Sequence, residues 1–138
     1  QNLIVNGHKN TKISAFKVVK GIDEGPIYLK KKLNLKGSAK EIFLRSSDKI
    51  FQMICLIIDK NLIPIPQKGT PVLFKRRTPQ QSDISKLDEM NLIYDYIRML
   101  DCEGYPHAYL ELNGLKFEFT NAKKNKNNLK ANVKITKC

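Results

Sequence analysis

The residues of this 138-residue chain best placed to do chemistry lie in one short run, Gly21-Ile22-Asp23-Glu24-Gly25-Pro26. A carboxylate such as Asp23 can accept a proton, or orient and charge a neighbouring group, once its surroundings hold it still. Gly21 and Gly25 let the chain bend tightly and expose backbone amides to a ligand. Pro26 fixes the re-entry into an extended segment. Asp between two glycines is equally ordinary turn chemistry, so the run alone leaves both readings open. Arg76 and Arg77 offer adjacent guanidinium groups suited to bidentate phosphate contact, or a solvated linker. Tyr105 can stack on a base or form a Tyr-Pro packing corner. Glu24 and Glu103 have no evident partner. Cys55, Cys102 and Cys138 are far apart and odd in number, with neither a disulfide framework nor a zinc spacing, so no metal is expected. Cys55 falls on a helical apolar stripe and reads as a small core residue.

Several elements must position these side chains. Residues 1–5 read as the last turns of a helix stopped by Asn6-Gly7. From Thr11 the pattern is extended, with Ile13, Ala15 and Val19 on one face. A second strand starts at Pro26-Ile27 and continues through Leu33 and Leu35, which predicts an antiparallel hairpin with a wide loop. Ser38 with Glu41 forms a capping box. Ile42, Phe43, Ile50, Met53, Ile54, Ile57 and Ile58 then recur at helical spacing, which predicts a helix over 38–60 packed on the sheet. Pro64 and Pro66 close that unit, and a short strand is expected at Val72-Leu73-Phe74. Residues 75–86 read as a basic, polar linker. A helix is expected over 87–100, then a turn at Gly104-Tyr105-Pro106. A hairpin follows about Asn113-Gly114, the strongest short hairpin signal. A polar segment, 121–128, leads to a last strand carrying Val133 and Ile135. No internal repeat is present.

Composition narrows the class. An apolar content of 41% is enough for a core, and no run approaches the roughly 18 to 20 apolar residues that a membrane span needs. No basic n-region followed by an apolar stretch marks a secretory signal. A cytoplasmic, reducing setting is expected, with no membrane partner. The net charge of +12 favours anionic partners, namely nucleic acid, nucleotides, polyglutamylated folate or a membrane surface. Scattered Lys on solvated faces would give the same number, so charge does not choose among them.

Four ordered patches resemble one family. Gly7-His8-Lys9-Asn10-Thr11-Lys12-Ile13-Ser14-Ala15, then Gly21-Ile22-Asp23-Glu24-Gly25-Pro26-Ile27, is similar to methionyl-tRNA formyltransferases and their sugar-nucleotide N-formyltransferase relatives. Those read Gly-Asp-x-x-Thr-Gly-Val-Thr-Ile, then Gly-Leu-Asp-x-Gly-Pro-Ile. Phe74-Lys75-Arg76-Arg77-Thr78-Pro79 resembles the basic-Pro link between the family's domains. Ile97-Arg98-Met99-Leu100, then Tyr105-Pro106-His107-Ala108-Tyr109, resembles the opening of its C-terminal domain. The order of the patches is more specific than any one of them. The implied fold is α/β, the C-terminal part of a formyltransferase Rossmann-like domain (1–74), a linker (75–86), then a small β-rich, barrel-like domain (87–138). The family's Asn-x-His pair and Arg-Gly segment would precede Gln1, and the chain is expected to be a fragment or one half of a complementing pair, inactive alone. His8 stands where the family has Asp and is expected to be structural. Val19 and Lys20 replace an acidic-small pair.

The resemblance implies formyl transfer from 10-formyltetrahydrofolate to a primary amine, with no metal. The amine must be neutral to attack, and the attacked carbonyl becomes an oxyanion, so a proton acceptor and fixed donors are both needed. In the family Asn and His donate, and the Asp orients the His and organises a proton-relaying water. That Asp is Asp23. Gly21, Ile22 and Gly25 then form the folate loop, and Arg76, Arg77 and Tyr105 are candidates for the acceptor. Two acceptors fit: a nucleotide-linked amino sugar, favoured by the Gly-Tyr-Pro wording, and methionyl-tRNA, favoured by the basic C-terminal piece. A different class is a non-catalytic module that binds nucleic acid by charge.

Overall fold

Thr11, Ile13 and Ala15 alternate with Lys12, Ser14 and Phe16, and the alternation makes strand β1, Asn10–Phe16. A computed structural model describes residues 1–138. Strand β2, Ile27–Asn34, pairs with β1 antiparallel, Lys12 opposite Lys32 and Ser14 opposite Lys30. The expected hairpin is therefore present. It is shorter than expected, because the register breaks between Ala15 and Phe16 and the chain leaves the ladder before Val18 and Val19. Residues opposite one another share a face. One face carries Ile13, Ala15, Leu29 and Leu33; the other carries Lys12, Ser14, Phe16, Lys30 and Lys32.

Helix α1, Asn2–Val5, stops as Asn6-Gly7 predicts. Gly7 has φ +78, its N–H donates to Ile4 and the His8 N–H donates to Leu3, a Schellman closure. Helix α2, Ala39–Asp59, begins at the expected box: the Glu41 N–H reaches Ser38 Oγ at 3.3 Å and the Ser38 N–H reaches Glu41 Oε2 at 2.8 Å. It ends on Asn61 in the left-handed region, with Asn61 N–H on Ile58 and Leu62 N–H on Ile57. Arg45 reaches back to the carbonyls of Asn34, at 3.2 Å, and Lys36. Broad packing of α2 on the hairpin is not observed. Phe43, Leu44, Ile50, Phe51, Ile54 and Ile58 stay between 45% and 68% exposed. The reason is width, since two strands offer only a narrow face to a helix about 30 Å long. The strand expected at Val72–Phe74 is also absent; its apolar side chains are exposed and no ladder pairs them. Instead Ile65 makes a single antiparallel bridge with Ile27, by reciprocal bonds of 2.7 and 2.8 Å.

The chain divides into two compact units, one of Lys9–Lys36 and Ile42–Phe74, the other of Gln1–His8, Gly37–Glu41 and Lys75–Cys138. The second holds a 3-10 turn at Pro79–Ser82, helix α3 (Met90–Leu100) and strands β3 (Ala108–Leu112), β4 (Leu115–Lys124) and β5 (Leu129–Lys137). Helix α3 starts later than Leu87 because 84–87 closes as a turn, Leu87 N–H on the Ile84 carbonyl. Its apolar face, with Ile97, Met99 and Leu100 buried, packs on β4. The β3–β4 hairpin turns at Asn113 (φ 52) and Gly114 (φ 73), the geometry that Asn-Gly supplies. The sheet is β3-β4-β5, three antiparallel strands, and it does not close into a barrel. Of the polar segment expected at 121–128, residues 121–124 extend β4 and 125–128 form the turn to β5. A bulge at Asn121 (φ 52), whose N–H donates to Asp101 Oδ2 at 2.9 Å, lets β4 continue to Lys124. No helix is long and apolar enough to cross a membrane.

Candidate functional site

The loop between β1 and β2 closes on a narrow neck. The Lys17 N–H donates to the Pro26 carbonyl at 2.8 Å. Gly25 is buried against that neck, and a Cβ built on it would lie 1.7 Å from the Lys17 carbonyl oxygen. No residue with a side chain fits there. Gly21 is different, since its Cβ would meet only the Glu24 carboxylate. Ile22 sits at the loop's outer corner and is 90% exposed. Asp23 follows with φ 58, a left-handed backbone that Asp tolerates better than most residues.

The Asp23 loop borders a cavity of about 350 Å³, lined also by Lys12, Ser14, Phe16, Ile27 and Gln67. Strand period accounts for three of these, because Lys12, Ser14 and Phe16 are two apart and share one face of β1. Gln67 arrives from far along the chain. Its Nε2 donates to the carbonyl of Asp23 at 2.6 Å and to that of Gly25 at 2.8 Å. The cavity thus joins a carboxylate, an ammonium, a hydroxyl and an amide with the apolar Phe16 and Ile27 in its lining. Such a cavity is within the size range of small-molecule sites. Sequence reasoning singled out Asp23 and its glycines but missed Lys12, Ser14, Phe16 and Gln67. The alternation of β1 carried the signal for the first three; nothing local marks Gln67.

Arg76, Arg77 and Tyr105 also come together, around a cavity of about 610 Å³ lined with Thr78, Ser82 and Pro106. The two arginines differ. Arg77 sits over the Tyr96 ring at 5.1 Å and donates through Nη2 to the Gln81 carbonyl, so it is largely committed to its own unit. Arg76 is exposed, and Tyr105 lies at the rim at the Gly104 turn. His8 is exposed and its N–H closes α1. No group of three or more His, Cys, Asp or Glu side chains is placed to hold a metal ion.

Comparison with known proteins puts this arrangement in context. Residues 79–136 match the family model described as "Methionyl-tRNA formyltransferase, C-terminal domain". A methionyl-tRNA formyltransferase of Lactobacillus acidophilus is 28% identical over 125 residues, which are 86% of this chain and 39% of that protein. A solved methionyl-tRNA formyltransferase from Clostridium thermocellum is 46% identical, with a TM-score of 0.95 over 99% of this chain and 61% of that one. HypX from Aquifex aeolicus in complex with tetrahydrofolic acid shares the fold at 13% identity, with a TM-score of 0.67 over 87% of this chain and 22% of that one. The chain therefore spans less than two thirds of the length of each of these relatives. Sequence and fold agree across both units, and the chain is similar to the C-terminal part of methionyl-tRNA formyltransferases.

Proposed function

We propose that this chain supplies the Asp-bearing half of an enzyme that moves a formyl group from 10-formyltetrahydrofolate to the amino group of methionyl-tRNA. The supporting observation is Asp23, held in a left-handed corner beside a polar cavity, in a chain 46% identical to a methionyl-tRNA formyltransferase. The Gly-Tyr-Pro wording had favoured a nucleotide-linked amino sugar. The relatives favour methionyl-tRNA, and that acceptor replaces it here.

In this reading residues 1–74 complete a Rossmann-like catalytic domain, 75–86 link it, and 87–138 form the C-terminal domain. The rest of the catalytic domain, with its Asn and His, comes from an N-terminal half. The exposed apolar side chains of α2 suit packing against that half, since exposed apolar patches mark interaction surfaces. The folate fits the site by chemistry: the Asp23 loop offers backbone groups at the cavity wall, and the apolar Phe16 and Ile27 are in its lining. When bound, it supplies the activated formyl carbonyl. Asp23 then orients the partner half's His and holds a proton-relaying water. Gly21, Ile22 and Gly25 shape the folate loop. Arg76 meets a phosphate of the acceptor, with Tyr105 beside it and Arg77 fixing the segment. Setting and cofactor follow the family: a cytoplasmic enzyme with no metal.

The test is formyl transfer by the complete enzyme to methionyl-tRNA and to a nucleotide-linked amino sugar, in parallel. Turnover of the first alone supports the reading, and turnover of neither sinks it. A purely charge-driven nucleic-acid module would instead show steep salt-dependent binding of any nucleic acid and no effect of changing Asp23.

A further inference from the structure

We infer that Gln67 is a positioning residue that locks the Asp23 loop in the shape its chemistry needs. The inference rests on the reading of Asp23 as catalytic. Gln67 is separated from the loop by 44 and 42 residues, yet one side-chain nitrogen bonds the carbonyls of both Asp23 and Gly25. A carboxamide NH₂ has two N–H bonds, and two carbonyls are the complement of that group. The end of the amide facing two acceptors must be the nitrogen, so its orientation follows from the partners.

Both sides of this contact are prepared. On the Gln67 side, the Ile27–Ile65 bridge fixes the chain two residues earlier. Pro64 and Pro66 restrict φ on either side of Ile65. On the loop side, Asp23 has φ 58 and Gly25 is pressed on Lys17. Asp tolerates that backbone region better than most residues but still at a cost, which surrounding contacts must offset. Gln67 supplies such a restraint, one bond to the residue itself and one to the neck. The Gln67 side chain also lines the cavity that Asp23 borders. Loosening it would let the carboxylate wander, and small misplacements of a reacting group cost large factors in rate.

The experiment uses two variants of the complete enzyme. Gln67→Met keeps the length and removes the donor. Gln67→Glu keeps the shape, opposes two carbonyls with a carboxylate when ionised, and regains one O–H donor when protonated. Expected for Gln67→Met is a fall in kcat on the order of 10- to 100-fold, with KM for methionyl-tRNA within about twofold, and faster amide hydrogen exchange across residues 17–26. For Gln67→Glu, activity relative to the parent at the same pH should recover as the pH falls, because two facing oxygens raise the carboxyl's pKa. Gln67→Met should show no such recovery. Unchanged exchange in Gln67→Met, or a Gln67→Glu profile parallel to the parent's, overturns the inference even if Asp23→Asn is inactive. Should Gln67→Met fail to fold, the Gln67→Glu series decides. If the parent transfers no formyl group, the proposed function falls, and the exchange result still judges Gln67.

Discussion

Arg98 on α3 donates through Nη1 to the carbonyl of Gly37, 2.8 Å away and 61 residues earlier. The same guanidinium pairs with Asp95 at 2.6 Å and lies 5.6 Å from the centre of the Tyr94 ring. The Arg of the Ile-Arg-Met-Leu run is thus a brace that holds the residue before the Ser38 cap. Its side chain is only 11% exposed, so removal leaves a carbonyl and a carboxylate short of a donor. Arg98→Met should cost about 2–4 kcal/mol, read as a lower urea midpoint of the complete protein. Arg98→Lys should fall between, because an ammonium cannot reproduce the planar fork.

The two glycines of the Asp23 loop should respond very differently to the same change. Gly25→Ala puts a Cβ 1.7 Å from the Lys17 carbonyl oxygen, and backbone cannot swing aside. A loss of more than about 2 kcal/mol and a disordered loop are expected. Gly21→Ala meets only the end of the flexible, exposed Glu24 side chain, so its effect should stay within about 0.5 kcal/mol. Thermal unfolding of the two variants side by side checks the contrast.

Arg76 and Arg77 should separate in the same way. Arg76→Ala should weaken methionyl-tRNA binding and reduce the slope of log K against log salt by about one, with stability unchanged. Arg77→Ala removes the cation over Tyr96 and the bond to the Gln81 carbonyl. It should lower the unfolding midpoint, and filter-binding titrations across a salt series together with melting curves distinguish the pair.

Features written in neighbouring residues were legible in the sequence. The Ser38–Glu41 box, the Asn6-Gly7 stop and the Asn113-Gly114 turn are local chemistry, and each formed where expected. Asp23 was singled out by its motif, and the structure places it beside a cavity. What escaped depends on distant chain. Gln67 meets the loop two residues after the Ile27–Ile65 bridge, and β4 continues past Thr120 through a bulge whose Asn121 N–H bonds distant Asp101. Val72–Phe74 has strand-forming side chains with no ladder beside it, and propensity without a partner does not make a strand.

In the proposed function Asp23 takes part in formyl transfer. Asp23→Asn is the most direct test, since Asn tolerates the same left-handed backbone and keeps the shape while removing the charge. The measurement is kcat for formyl transfer to methionyl-tRNA by the complete enzyme, with the unfolding midpoint as control. A loss on the order of 10²- to 10⁴-fold at an unchanged midpoint is expected. Transfer within a few-fold of the parent would contradict it.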